Sequence, residues 1–298
     1  MIIKIFEKSK PINLVIATAI LIFGFLSSSF LPHFTWNINK LIGLLVAVFS
    51  ILTADFISKK NLLSNQNSFI ILFYVLFFSL FWTTATDYAI LYANFFTLLA
   101  LRKIISLKSQ KNTTKKIFDA GFWISVATLF SFWSILVFIL LFIAILIYNA
   151  ENYKHFLVPF ISVFTLYVIV NSYSLFRNHT LYQYNGFNIT FNFSEILSNK
   201  NYFILGGLVL LISSLFIFIG KKIRHLTKKN RTSYILISIA LLIAIIIFIF
   251  NPKMEILLFT CFPISVLLSA VFEQISKKWI QNLIFYSILI AAGLLYFT

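Results

Sequence analysis

The stretch 117–149, IFDAGFWISVATLFSFWSILVFILLFIAILIYN, is apolar almost throughout, and whether it forms one helix or two decides the fold. At about 1.5 Å per residue, a single helix would be roughly 50 Å long, against a hydrocarbon core of about 30 Å. Two helices would each be short. The tetrapeptide SFWS (131–134) offers a break, and the charges on either side of the stretch choose between the readings.

With the break, basic residues of the connecting segments divide 20 against 4, and only Lys40, Arg177, Lys200 and Lys253 fall on the poorer side. Without it, every later segment changes sides and the division becomes 14 against 10. Cytoplasmic loops of membrane proteins carry the excess of Lys and Arg, so the broken reading is the expected one. It places the N-terminus in the cytoplasm and the C-terminus outside.

Composition sets the same class. The chain has 298 residues, of which 60% are hydrophobic and 11% charged, less than half the charged share of an ordinary soluble domain. Such a chain cannot cover an aqueous surface. Backbone groups in lipid must be bonded within the segment, and the runs are too long and too unbroken for barrel strands. The expectation is an all-α, polytopic transmembrane helical bundle forming a single integral-membrane domain over 1–298. Its eleven spans are 12–31, 41–57, 68–86, 88–105, 117–131, 134–149, 156–176, 202–220, 233–250, 256–273 and 280–297. The N-terminal run is too long for a signal peptide and reads as an uncleaved first span.

A net charge of +16 would point to nucleic acid in a soluble protein. Here the cations cluster in short loops, so no nucleic-acid partner is expected. Two loops, 102–116 and 221–231, are strongly basic, and their expected partners are the anionic headgroups of the inner leaflet. Protein partners are not legible.

Polar residues inside spans are the usual functional suspects. Asp55, Asp119 and Glu273 sit at inner ends and are expected to pair with Lys59, Lys115 and Lys277. No acidic or basic residue falls near the middle of a span, which argues against a proton pump or a voltage sensor. Pro159 and Pro263 lie in spans, where neighbouring groups can donate hydrogen bonds to the freed carbonyls. His33 and His179 are expected outside, His155 and His225 inside. The single cysteine, Cys261, has no partner nearby. No metal site with ligand-like spacing is present in the sequence, and no cofactor is expected.

The outer face remains. Asp87 occupies the short turn between the third and fourth spans, and Asn94 follows two helical turns later on the same face. His33, Arg177, His179, Glu195 and Glu255 also fall outside, the middle three in or beside the longest outer segment, 177–201. Asp87 is the candidate catalytic group. Arg177, His179, Glu195 and Asn94 are candidate substrate-binding groups. The alternative for all of them is ordinary interfacial polarity.

From Asp87 through YAILYANFFTLLALRKI and the basic loop to 118–149, the pattern resembles the membrane module of GT-C glycosyltransferases, over about 83–176. The resemblance implies a polyprenyl-phosphate-linked sugar as substrate and transfer at the outer face, with Asp87 matching a second acidic site. That family carries its main catalytic carboxylate in a long first outer loop. Here that loop, PHFTWNINK (32–40), is short and has no acid. The whole chain, with FEKSKPIN, KNLLSNQNSFIILFY and KIFDAGFWIS, is also similar to an uncharacterised family of bacterial multi-pass inner-membrane proteins, a domain of unknown function sometimes labelled beta-carotene monooxygenase. Histidines divided between two faces do not support that label. The readings are therefore a GT-C-like protein handling polyprenyl lipid, a non-enzymatic scaffold of an envelope machine, or a transporter of lipid or small molecules.

Overall fold

A computed structural model describes residues 2–30, 38–64, 66–82, 88–149, 153–182, 228–251, 253–275 and 277–297. Among these residues every regular element is helical. The helices are α1 (Ile2–Phe6), α2 (Pro11–Phe30), α3 (Ile38–Lys60), α4 (Phe69–Trp82), α5 (Tyr88–Ser106) and α6 (Thr113–Phe130), then α7 (Val137–Asn149), α8 (Lys154–Asn178), α9 (Lys228–Phe250), α10 (Leu258–Phe272) and α11 (Lys278–Phe297). Among the described residues, five stretches are long and apolar enough to cross a membrane: Ile38–Lys60, Tyr88–Ser109, Lys154–Asn178, Asn230–Phe250 and Glu255–Phe272. Pro11–Leu26, Phe69–Phe81 and Phe132–Tyr148 are shorter apolar helices.

The break at 131–134 is present. Ser131 is extended, with φ −142° and ψ 110°, and its N–H still donates to the Ala127 carbonyl to close α6. A 3-10 turn, Phe132–Leu136, then feeds α7. The chain folds back on itself there. At the far ends of the same two helices, Gln110 Nε2 donates to the Tyr148 carbonyl at 3.4 Å, so the start of α6 and the end of α7 lie at one level.

That level is one end of the whole bundle. Lys108 Nζ reaches the Asn61 carbonyl after α3, and His155 Nε2 at the start of α8 lies 3.3 Å from Thr114 Oγ1. The Tyr148 hydroxyl meets Thr232 Oγ1 of α9, and the Tyr234 hydroxyl donates to the Leu63 carbonyl. Asn67 Nδ2 donates to Glu273 Oε1 after α10, and Lys278 of α11 faces Glu7. Fourteen of the described Lys and Arg side chains sit at this polar end, while Lys40, Arg177 and Lys253 sit at the other.

The core is layered by burial. Every residue of α10 is buried, and Phe272 at its end packs edge-on against Phe69 and Phe73 of α4. At the opposite extreme, α8 turns Phe160, Phe164, Val168 and Phe176 outward. It is held to α6 by small residues. A side chain added at Gly121 would overlap the Ser162 hydroxyl and press on Pro159, so the two backbones meet where neither helix carries bulk.

Candidate functional site

Above the Gly121–Ser162 contact, α6, α7 and α8 separate and leave a cleft of about 310 Å³. Its wall is mostly apolar, with Leu129, Phe132, Ile135, Phe138, Val163, Leu166 and Val170. Three of its polar residues turn hydrogens to the backbone. Ser125 Oγ donates to the Gly121 carbonyl at 2.8 Å, Thr128 Oγ1 to Ser125 at 2.6 Å, and Asn171 Nδ2 to Tyr167 at 2.9 Å. Tyr167 and Tyr182 add their phenols to the lining, and the rest of the wall offers a hydrocarbon surface.

The mouth of the cleft is different. Asn171 Oδ1 accepts the Tyr182 N–H, and Ser174 Oγ donates to the Thr180 carbonyl, so residues 180–182 are fastened back over the end of α8. The helix stops there because His179 adopts the left-handed conformation at φ 56° while its N–H closes on Leu175. Val163, Val170 and Arg177 follow at seven-residue spacing and share one face of α8. Arg177 is exposed on that face beyond the cleft, and its Nη1 donates to the Tyr173 hydroxyl at 2.8 Å.

The candidate residues read from sequence do not gather at this mouth as one set. Arg177 and His179 stand at the end of α8. Asn94 is only 2% exposed and lies inside the bundle. Asp87 and Glu195 lie outside the described residues, as does His33. Glu255 is buried in the 3-10 turn Met254–Leu257.

Asn94 belongs to a buried polar node that the sequence did not reveal. The Tyr74 hydroxyl of α4 lies beside Ser50 of α3 and Asn94 of α5, and Cys261 of α10 is buried nearby with its thiol turned to the Leu257 carbonyl. Neither the Tyr74 hydroxyl nor Asn94 Nδ2 makes a hydrogen bond of ordinary geometry, although the groups are close enough to interact. Each residue is a lone polar group in its own apolar run, and only packing brings four helices together around it.

Two expected ion pairs take other partners. Asp55 does bind Lys59, at 2.8 Å. Asp119 instead meets Lys103 of α5 at 2.6 Å, because the tight α5–α6 hairpin lays that ammonium against it, in place of Lys115 on the preceding turn of α6. Glu273 accepts from Asn67, as the end of α10 packs on the start of α4. Among the described residues, no three His, Cys, Asp or Glu side chains cluster in a way that would hold a metal ion.

These features define an all-helical protein with several helices apolar and long enough for a bilayer, as an integral membrane protein requires. The chain belongs to a family of unknown function, DUF6427, whose profile matches residues 1–298. No curated protein and no solved structure matches it.

Proposed function

We propose that this chain is a multi-pass protein of the bacterial inner membrane that handles a polyprenyl-phosphate lipid at the outer leaflet, its hydrocarbon in the α6–α7–α8 cleft and its phosphate on Arg177. The observation that carries this reading is the alignment of Arg177 with Val170 and Val163, a cation on the same helix face as an apolar cleft. A guanidinium suits a phosphate through paired hydrogen bonds. The proposed topology has eleven crossings with the N-terminus inside. Its support is the crowding of basic residues at one end of the bundle and the alternation of helix ends there. The crossing at 202–220 rests on the sequence alone.

In the GT-C form of this reading, Asp87 orients the acceptor or a cation on the lipid phosphate, and a linked sugar is transferred. The short first outer loop without an acid favours instead a protein that holds the lipid without cleaving it, as a scaffold of an envelope machine would. Photoreactive polyprenyl phosphate in membranes tests the shared claim. Labelling should map to α6–α8 peptides and fall about tenfold in Arg177→Gln and in Val170→Trp, the first losing a charged contact and the second filling the cleft. Labelling elsewhere, or labelling unchanged by both substitutions, refutes it.

A further inference from the structure

At the polar end of the bundle, a second groove of about 450 Å³ opens between α5, α6 and α8. Leu99, Phe118, Phe122 and Trp123 form its wall, and Arg102, Lys103 and Asp119 form its rim. The rim carries more cation than its carboxylate can neutralise. Asp119 is engaged by Lys103. Arg102 has no carboxylate partner among the described residues. Its guanidinium carbon lies 4.3 Å from the centroid of the Phe56 ring of α3, and Lys60 approaches the same ring at 5.2 Å. Stacking occupies the face of the guanidinium and leaves its in-plane N–H donors at the edge.

Lys116 of α6 lies off the groove and donates to the Ser106 carbonyl at 2.8 Å and to Ser109 Oγ at 2.6 Å. Burial, and then the charges of Lys60 and Lys103, push its ammonium below the usual lysine pKa. Two cations, Arg102 and Lys103, therefore stand on the rim of an aromatic groove with one carboxylate, and Lys60 shares the Phe56 ring with Arg102. Membrane topology asks only that cations lie in loops on one side. It does not ask that two of them share one aromatic ring beside an apolar trough. A ligand with an anionic head and a hydrocarbon tail relieves the first and fills the second.

We propose that this groove holds one anionic glycerophospholipid, with its phosphate on Arg102 and Lys103 and an acyl chain along Phe118, Phe122 and Trp123. Its charged rim lies at the opposite end of the bundle from the mouth of the α6–α7–α8 cleft, and the proposal stands whether or not that cleft takes polyprenyl phosphate.

The test uses the full chain, purified in detergent and titrated with phosphatidylglycerol or phosphatidylcholine of equal chain length, with bound lipids counted by native mass spectrometry. One phosphatidylglycerol should bind about tenfold more tightly than phosphatidylcholine, and Arg102→Gln should erase that preference. Lys10→Gln, a charge loss at the same end but off the groove, should leave it intact. Inorganic phosphate at equal concentration should not displace the lipid. Equal binding of the two lipids, equal loss in the two variants, or displacement by phosphate alone overturns the proposal. Should Arg102→Gln fail to fold, brominated phosphatidylglycerol gives a second reading. It should quench the wild-type tryptophan fluorescence more than that of Trp123→Phe, whereas equal quenching, or the same quenching by brominated phosphatidylcholine, overturns the proposal.

Discussion

Lys103 Nζ and Asp119 Oδ2 meet at 2.6 Å, joining the last turn of α5 to the second turn of α6 across a six-residue connection. The pair is partly exposed, so its contribution is that of an interfacial ion pair, about 0.5–1 kcal/mol. Asp119→Asn should lower the melting temperature of purified protein modestly, and added salt should shrink the difference. Lys115→Gln should do nothing comparable, because Lys115 is not the partner. An equal effect from Lys115→Gln would restore the neighbour along α6 as the true counter-ion.

The fold-back at Ser131 makes a topological prediction. Gln110 and Lys111 lie at the polar end with Tyr148, whereas Lys253 lies at the other. Cys261 is buried and is the only cysteine in the chain, so Cys261→Ala provides a clean background. On that background, a membrane-impermeant maleimide added to spheroplasts should label Lys253→Cys and should label Lys111→Cys only after permeabilisation. The reverse pattern would overturn the proposed orientation, and labelling of both without permeabilisation would place the two connections on one side.

Gly121 marks a close backbone approach between α6 and α8. Gly121→Leu forces a branched side chain against Ser162 and the Pro159 backbone. Overpacking of that kind costs about 1–3 kcal/mol and separates the helices. Gly121→Ala should be milder, since the Ser162 hydroxyl can rotate away. Monodisperse yield after detergent extraction should therefore fall in the order wild type, alanine, leucine. An unaffected Gly121→Leu would mean that α6 and α8 do not touch there.

Asn94 separates structure from function. Its Nδ2 is buried without an acceptor, a state that costs about 1–3 kcal/mol. Asn94→Leu removes that donor at similar volume, so the variant should melt at or above the wild-type temperature. A clear loss of stability would show that the amide is satisfied in the folded protein. If the variant is stable but fails to complement a deletion strain, the polar node is functional.

Lys116 gives a pH signature. Its folded pKa is lowered, so the folded chain releases this proton before the unfolded chain does. The penalty of holding the charge is present at neutral pH and is lifted as pH rises toward the ordinary lysine value of 10.5. Wild type should therefore gain stability relative to Lys116→Gln as the medium becomes alkaline within that window. A difference that stays constant with pH would mean that Lys116 is not crowded by Lys60 and Lys103.

Much of the architecture was legible in advance. The helical class followed from the backbone's need for internal hydrogen bonds in lipid, and the break at SFWS followed from the division of basic residues, 20 against 4, that it produces in a run too long for one helix. Arg177 and His179, two of the outer-face candidates, stand at the end of α8. The partner of Asp119 was misread, because spacing along one helix says nothing of the helix folded against it. The node of Ser50, Tyr74, Asn94 and Cys261 was missed for the same reason.

What the sequence determined by itself was that these segments are helices, roughly where they end, and which loops carry the charge. What only the tertiary structure decided was which helix faces protein and which faces outward. Both α8 and the stretch Glu255–Phe272 that contains α10 are apolar enough to cross a membrane, yet 94% of that stretch is buried, against 28% of the apolar window of α8. Lipid tails are as apolar as leucine, so hydropathy cannot tell a helix wrapped by its neighbours from one exposed to the bilayer. That choice was made by packing at contacts such as Gly121 against Ser162. The same packing left a cleft beside α8 and set Arg177 above it.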